Sequence, residues 1–355
     1  MSKLNVCVLF GGVSPEHEVS LRSAEAVLNN LDSEKYNIYP VGITKAGKWI
    51  YFAGTDYSLL PSGKWQSFSG NLPAVISPSS GQGLICVACD CVYYHQIDVV
   101  FPVLHGENGE DGSVQGLLQI AGIPCVGAGV AASAVGMDKT LTKLVLGDCG
   151  IQQAVWLLVR NSELNSKMDA ILERIEKKFS YPVFVKPAGT GSSVGVSKAG
   201  SREALQEALI YAGQYGEKIL VEEYICGYEV EVAVMGNDRP VASVCGEIES
   251  GTEFYDYDAK YITDTSIAYI PARISESTAE LVRQTAIEAY TAIGCKGLAR
   301  VDFFVTKADA RVVLNEINTL PGFTSISMYP KLFAASGISY GQLLDSLITY
   351  ALEAI

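Results

Sequence analysis

The sequence predicts an α/β protein of two or three domains, and three observations predict it. Apolar strands alternate with helical patterns through the first third of the chain. Two of those strands, Val6-Cys7-Val8-Leu9-Phe10 and Val99-Val100-Phe101-Pro102-Val103-Leu104, are unbroken apolar runs that end in glycine-rich loops, as strands buried on both faces do. Near the other end, residues 300–304 and 312–318 are β-branched and apolar, joined by a polar turn at Lys307-Ala308-Asp309-Ala310. The length of 355 residues sets the domain count.

With 48% hydrophobic and 18% charged residues, the chain can bury a large core. A net charge of −13 argues against nucleic acid or an anionic membrane as the main partner. An anionic substrate therefore needs local lysines and arginines. The nine cysteines are scattered, and only Cys86, Cys89 and Cys91 cluster, without the second Cys/His pair a zinc site needs. The first residues show no signal-peptide pattern and no apolar run approaches a membrane span, so a cytoplasmic location is expected.

In order, Val6 to Phe10 runs into Gly11-Gly12 and a loop holding Glu16, His17 and Glu18, with a helix expected from about Ser20 that buries Leu21, Ala24, Val27 and Leu28. Loops at strand carboxyl ends are where α/β proteins place ligands. An acidic residue there also suits a helix N-terminus, so both roles stay open for Glu16. Strands follow at 38–43 and 99–104, with a Gly-, Ser- and Pro-rich stretch at 50–90 that carries no clear pattern. His105 opens a loop of three glycines and three acids, ahead of a helix at 113–121. A last strand of the first domain is expected at 124–127 and one helix at about 133–149, carrying Asp138-Lys139. A strand at 181–187 ends in Lys186-Pro187 and enters Ala188-Gly189-Thr190-Gly191-Ser192-Ser193-Val194-Gly195. That loop has a phosphate-cradling composition, with mobile backbone N–H groups, hydroxyls and a lysine. A strand from Lys218 reaches a connector at Tyr224-Ile225, with Glu229 just beyond. The aromatic and charged stretch 253–261 reads as a lid. Ser277-Thr278-Ala279-Glu280 reads as a capping box opening a helix that Gly294 ends. A Ser-rich loop at 323–330 precedes a closing amphipathic helix at 340–355.

Side chains two apart on a strand share a face. Arg300 and Asp302 therefore point the same way, as do Glu316 and Asn318. On neighbouring strands they place two carboxylates, an amide oxygen and a guanidinium on one surface. Such oxygen-only donors suit Mg²⁺ or Mn²⁺ that takes its remaining ligands from water and phosphate. A solvated face with a salt bridge is the plain alternative.

Taken together, these blocks resemble the D-alanine–D-alanine ligase family of the ATP-grasp superfamily over essentially the whole chain. The marks are Gly11-Gly12 with Glu16-His17-Glu18-Val19-Ser20, His105-Gly106 to Gly112, Met137-Asp138-Lys139, Lys186-Pro187 to Gly195, Tyr257 to Tyr261, Arg300-Val301-Asp302, and Asn315 to Gly322. The resemblance implies an N-terminal Rossmann-like pre-ATP-grasp domain at 1–125 with the first D-alanine site. A two-part ATP-grasp fold follows: a central part at 126–215 with the phosphate loop, and a C-terminal part at 216–355 with the lid and metal site. It implies ATP as co-substrate, two Mg²⁺ (or Mn²⁺) ions, D-alanine as substrate, a role in peptidoglycan precursor synthesis, and a homodimer.

By the same resemblance, Asp302, Glu316 and Asn318 hold the metal ions. Lys139 and Lys186 grip phosphates, and the loop with Ser193 and Val194 closes over them. Glu222, Tyr224, Ile225 and Glu229 bind adenine and ribose. Glu16 meets the ammonium of the first D-alanine, beside His105, and hydrogen-bonds with Ser192 and Tyr261. Arg300 and the Gly322 N–H face the developing oxyanion. Ser327 and Lys260 bind the second carboxylate, and Met328 lines that pocket. Lys260 also counts among the ATP contacts. Gly189-Thr190 stands where the family has a larger polar or basic residue, which implies a more mobile loop. Two other readings remain: a sister ligase taking D-serine or D-lactate second, and an inactive nucleotide-binding regulator.

Overall fold

The computed structural model describes residues 3–79, 81–249 and 267–353. Its first sheet has the order β6-β5-β4-β3-β2-β1-β7. β1 (Leu4–Gly11) lies parallel to β2 (Tyr36–Ile43) and to β7 (Val99–Leu104). The apolar runs are buried on both faces because two cores use alternate residues. Val6, Val8, Phe10, Val99 and Phe101 face one core; Cys7, Leu9, Val100 and Leu104 face the other. The first core is closed by α1 (His17–Asn30), the second by α2 (Ser113–Ala121).

The stretch at 50–90 folds as short strands: β3 (Trp49–Tyr51), β4 (Leu72–Ile76), β5 (Leu84–Val87) and β6 (Val92–His95), all antiparallel. Between β3 and β4, Trp65 sits edge-on against Phe10 with ring centroids 5.0 Å apart. Gly42 makes room for it, since a Cβ there would lie 2.3 Å from the indole.

Three sequence expectations change here. α1 begins at His17 rather than Ser20, because the Ser20 hydroxyl is spent elsewhere: it accepts from the Gly11 N–H at 2.7 Å and donates to the Val103 carbonyl. The strand expected at 124–127 is a single parallel bridge, Cys125 to Val100. The helix expected at 133–149 is two, α3 (Val130–Met137) and α4 (Lys139–Asp148). Asp138 breaks them apart: it is extended, and its carboxylate caps α4 by accepting from the Thr140 and Leu141 N–H groups.

A four-stranded antiparallel sheet follows, with order β10-β9-β11-β8. Its strands are β8 (Trp156–Arg160), β9 (Val183–Pro187), β10 (Ser197–Ala199) and β11 (Lys218–Glu223). α5 (Asn161–Lys178) and α6 (Arg202–Gly213) cover the face that carries Val183, Val185, Ile219 and Val221. The sheet thus runs through β11, past residue 215.

The third sheet is antiparallel, order β14-β13-β12-β15-β16. It comprises β12 (Gly227–Gly236), β13 (Val241–Glu249), β14 (Ile267–Tyr269), β15 (Gly297–Thr306) and β16 (Val312–Asn318). α7 (Glu276–Ala292) packs Val282, Ala286, Ala289 and Tyr290 against Val230, Val301, Phe303 and Val305. Its cap is Ser275, two residues before the expected box, accepting from the Thr278 N–H at 3.2 Å. The Ser-rich loop turns helical at Met328: α8 (Met328–Ala335) and α9 (Tyr340–Glu353) return to the first sheet and complete the core around Val6, Phe10 and Phe101. None of the described helices is long and apolar enough to cross a membrane.

Candidate active site

With Val301, Phe303 and Val305 committed to the core under α7, the alternate residues of β15 face away from it. The register pairs Arg300 with Asn318 and Asp302 with Glu316, and on the other side Asp302 with Glu231 and Phe304 with Glu229. The surface drawn from the sequence is therefore real, and β12 adds two more carboxylates to it. Arg300 forks onto Asp302 with Nε and Nη2 each 2.7 Å from a carboxylate oxygen, and its Nε lies 3.1 Å from Glu231. Burial opposes that charge, but Asp302 and Glu231 raise the guanidinium pKa well above its ordinary value.

Opposite this face, Lys186 and Glu222 project from β9 and β11 on the side away from α5 and α6. The Glu222 carboxylate is buried between two lysines: Lys143 of α4 at 2.5 Å from one oxygen, Lys186 on the other. Burial alone would raise its pKa; Lys186 and Lys143 hold it below the usual glutamate value instead. Burial likewise lowers the pKa of Lys143, while Lys186, beside Glu222, Glu316 and Glu229, stays above the ordinary lysine value despite burial. Lys186 Nζ also donates to Asn315 Oδ1 at 3.3 Å. Lys139, at the first turn of α4, donates to the Thr190 carbonyl at 2.8 Å and lies 3.6 Å from Glu316. The lysines thus gather at the seam of α4 and the two sheets.

The glycine-rich loop folds down over this seam. Thr190 Oγ1 donates to the Val194 carbonyl at 3.0 Å, and the Val194 N–H to Gly191 at 3.2 Å. Ser192 and Ser193 hold φ of 50° and 59°, left-handed values uncommon outside glycine. In that shape the Ser192 hydroxyl donates to the Glu16 carboxylate. Gly191 allows the approach, since a Cβ there would sit 3.1 Å from Glu16 Oε2. Glu16 occupies the cap position of α1, yet its side chain makes no cap hydrogen bond. Its carboxylate faces the loop instead. Around Gly189-Thr190 the loop's contacts are made by Lys139, Thr190 and Ser192.

At the outer edge, the half-exposed Tyr224 stacks on Phe184 with centroids 6.0 Å apart, and Lys198 Nζ lies 4.9 Å over its ring. Ile225 is buried beside Ala154, Val313 and Phe304, and Glu229 follows on β12. On the first sheet's side, His105 is buried, its Nδ1 3.6 Å from Glu110 and 3.2 Å from the Leu320 carbonyl. Burial pushes its pKa down, but Glu110, Glu16 and the Leu320 carbonyl together raise the imidazole above its ordinary value. Gly322 sits where a Cβ would lie 2.8 Å from Ser327 Oγ. That hydroxyl accepts from the Thr324 N–H at 3.0 Å. Met328 is buried, its methyl against Gly246 of β13. Lys260 and Tyr261, with the lid expected at 253–261, lie outside the described residues.

The donors on the β15–β16 face fit a hard divalent cation: Asp302, Glu316 and the Asn318 amide, whose Oδ1 is oriented by the Leu320 N–H at 3.2 Å. Among the described residues no three carboxylate, imidazole or thiol groups form a ready cage, so phosphate and water would supply the rest of the shell.

Sequence reasoning passed over Lys143, Glu231, Asn315, Glu110 and Ser23. Lys143 was within reach, four residues from Lys139 on one helix face, as was Glu231, two residues from Glu229 on one strand face. Asn315 was not. It is the extra residue of a bulge, where Glu316 pairs with Asp302 and Leu314 with Phe303, and a bulge re-aims the side chain it frees.

Two family models match the chain, "D-ala D-ala ligase N-terminus" over residues 5–128 and "D-ala D-ala ligase C-terminus" over 145–349. A D-alanine--D-alanine ligase of Acetivibrio thermocellus is 50% identical over 363 residues, covering 99% of this chain and 96% of the relative. One from Caldicellulosiruptor bescii is 50% identical over 354 residues, with 99% and 96% covered. Among solved structures, the VanG D-Ala:D-Ser ligase from Enterococcus faecalis superposes with a TM-score of 0.89 at 37% identity, covering 99% of this chain and 100% of that one. The D-alanine-D-alanine ligase from Coxiella burnetii gives 0.85 at 35%, covering 99% and 96%. A seven-stranded α/β sheet leading into a two-sheet ATP-grasp unit, matched end to end by these relatives, makes the chain a member of the D-alanine–D-alanine ligase family.

Proposed function

We propose that the protein is an ATP-dependent ligase that joins two D-alanines into D-alanyl-D-alanine for peptidoglycan precursors, acting in the cytoplasm as a homodimer. One observation carries the reading: a carboxylate and amide face, Asp302, Glu316 and Asn318, lies across from the lysine cluster, under a loop tied to Glu16. ATP seats its adenine by Tyr224 and Ile225 and its ribose by Glu229, and Lys139 and Lys186 take the phosphates. Asp302, Glu316 and Asn318 would hold two Mg²⁺ or Mn²⁺ ions, whose charge offsets that of the β- and γ-phosphates. Glu16 accepts from the ammonium of the first D-alanine, next to His105. The carboxylate of that D-alanine attacks the γ-phosphate, giving D-alanyl phosphate and ADP. The amine of the second D-alanine, held by Ser327 and Lys260 beside Met328, then attacks the acyl carbon and phosphate leaves. Arg300 and the Gly322 N–H face the oxyanion of that step, where fixed donors matter most. Tyr261 and Ser192 complete the closure onto Glu16, and Ser193 and Val194 cover the phosphates.

The relatives at 50% identity carry the D-alanine name, which favours D-alanine in both positions. Coupled ADP release with D-alanine, D-serine and D-lactate as second substrate tests this. D-serine should fall about 5-fold to over 100-fold behind in kcat/KM, since an unpaired hydroxyl buried beside apolar Met328 costs roughly 1–3 kcal/mol. Equal use of D-serine would reverse the assignment. Sedimentation velocity tests the homodimer.

A further inference from the structure

We infer that Ser23 is a positioning residue that fixes the turn presenting the Gly322 N–H, an inference that rests on the reading of that N–H as an oxyanion donor. The segment Leu320-Pro321-Gly322-Phe323 leaves β16 and belongs to no strand or helix, so its backbone groups need partners elsewhere. The partners come from other elements and bracket Gly322. On one side the Leu320 carbonyl meets His105 Nδ1 at 3.2 Å. On the other, the Phe323 N–H donates to Ser23 Oγ at 3.2 Å, and the Phe323 carbonyl accepts from the Tyr340 hydroxyl at 2.6 Å. Ser23 Oγ also lies 3.4 Å from His105 Nε2, so one hydroxyl links both ends of the bracket.

Gly322 has no side chain to limit its own φ and ψ, and crowding by Ser327 keeps it glycine. The orientation of its N–H is therefore set by pinning the peptides around it. The Phe323 ring is anchored separately, edge-on to Phe101 at 5.8 Å and tilted on Tyr329 at 5.4 Å. Ser23 thus adds little to burial; what it adds is the direction of one amide. Unpaired on the buried stripe of α1 among Leu21, Ala24, Val27 and Leu28 that hydroxyl would be unfavourable, and its partners are the Phe323 N–H and His105.

The test compares wild type, Ser23→Ala and Tyr340→Phe by coupled ADP release with D-alanine, with ATP KM, thermal melting and amide hydrogen exchange at Phe323 measured in parallel. Loss of a whole oxyanion donor costs about 10²–10³-fold in kcat, so a loosened one should cost about tenfold. The expected result is that fall in kcat for both variants, faster exchange at Phe323 and an unchanged ATP KM. A wild-type kcat in Ser23→Ala overturns the proposal. So does a fall in kcat that vanishes when the assay is run well below the variant's melting temperature, since that is a stability effect alone. Absence of D-alanine-dependent ADP release in the wild type overturns the functional reading itself, and is seen before any variant is compared.

Discussion

Replacing Glu16 with glutamine separates its two conceivable roles, because the structure gives different magnitudes for each. A carboxylate near a helix N-terminus contributes about 0.3–1 kcal/mol through the dipole, and the Glu16 side chain adds no cap hydrogen bond to that. Its bond from Ser192 survives in the amide but falls from charge-assisted to neutral strength, a loss of roughly 1 kcal/mol. Against these losses, the negative charge of Glu16 bears on the buried Glu110, whose pKa burial and Glu16 both push up, so removing it relieves repulsion there. The net change in stability should be about 1 kcal/mol or less. The contact with a substrate ammonium is larger, because there both partners are charged: losing the ion pair costs about 1.5–3 kcal/mol, or roughly 10- to over 100-fold. The assay is coupled ADP release at saturating ATP with the first D-alanine varied, alongside thermal melting. KM for the first D-alanine should rise by that factor with little change in melting temperature. An unchanged KM together with a lower melting temperature would return Glu16 to the helix and refute the reasoning.

Asp302→Asn and Glu316→Gln should each lower turnover by about 10²-fold or more in protein that stays folded, because phosphoryl transfer depends on charge neutralisation; near-normal turnover at saturating Mg²⁺ would remove them from the metal site. Lys143→Met keeps the stem volume and leaves Glu222 paired with Lys186, so it should cost about 1–3 kcal/mol by urea denaturation, whereas Glu222→Gln takes the carboxylate from buried Lys143 and leaves Lys186 only Asn315 and the more distant Glu316 and Glu229, and should cost about 3–5. Equal costs would show that the triad does not share charge in this way. Because the folded-state pKa of Glu222 is depressed, its contribution is fully present above the unfolded value near ~4.3 and is lost as pH falls towards the folded pKa. In that acid window Glu222→Gln should therefore show a stability slope shallower by up to about 1.4 kcal/mol per pH unit, and a slope identical to wild type would contradict the assignment.

Much of the frame was legible because local pattern and burial agree. The continuous apolar runs of β1 and β7 are what a parallel strand between two cores must be, and the two-residue period of β15 and β16 placed Arg300, Asp302, Glu316 and Asn318 on one face before any coordinates. The misses have physical causes. The helix expected from about Ser20 starts at His17, and the Ser20 hydroxyl bonds instead to β1 and β7. Asp138 looks like a helical residue, but its carboxylate competes for backbone N–H groups and splits the helix. Asn315 is turned by a bulge that no period reveals, and the bond from Phe323 to Ser23 spans most of the chain, beyond the reach of any local signal.

The return of α8 and α9 to the first sheet also sets a timetable for synthesis. Phe10, Phe101 and their neighbours are complete once β7 is made, yet part of their cover, Leu343, Leu344, Leu347 and Ile348, belongs to the last helix. Roughly 240 residues lie between, so at about 5–20 residues per second the ribosome leaves that face without its last helix for ~10–50 s, while α1, the Phe52–Trp65 stretch and later α8 supply the rest of its cover. The first unit to emerge is therefore the last to be finished. A nascent chain stalled before α9 would leave open the part of this core that Leu343, Leu344, Leu347 and Ile348 cover, which makes the closing helix as much a safeguard against aggregation as a part of the enzyme's frame.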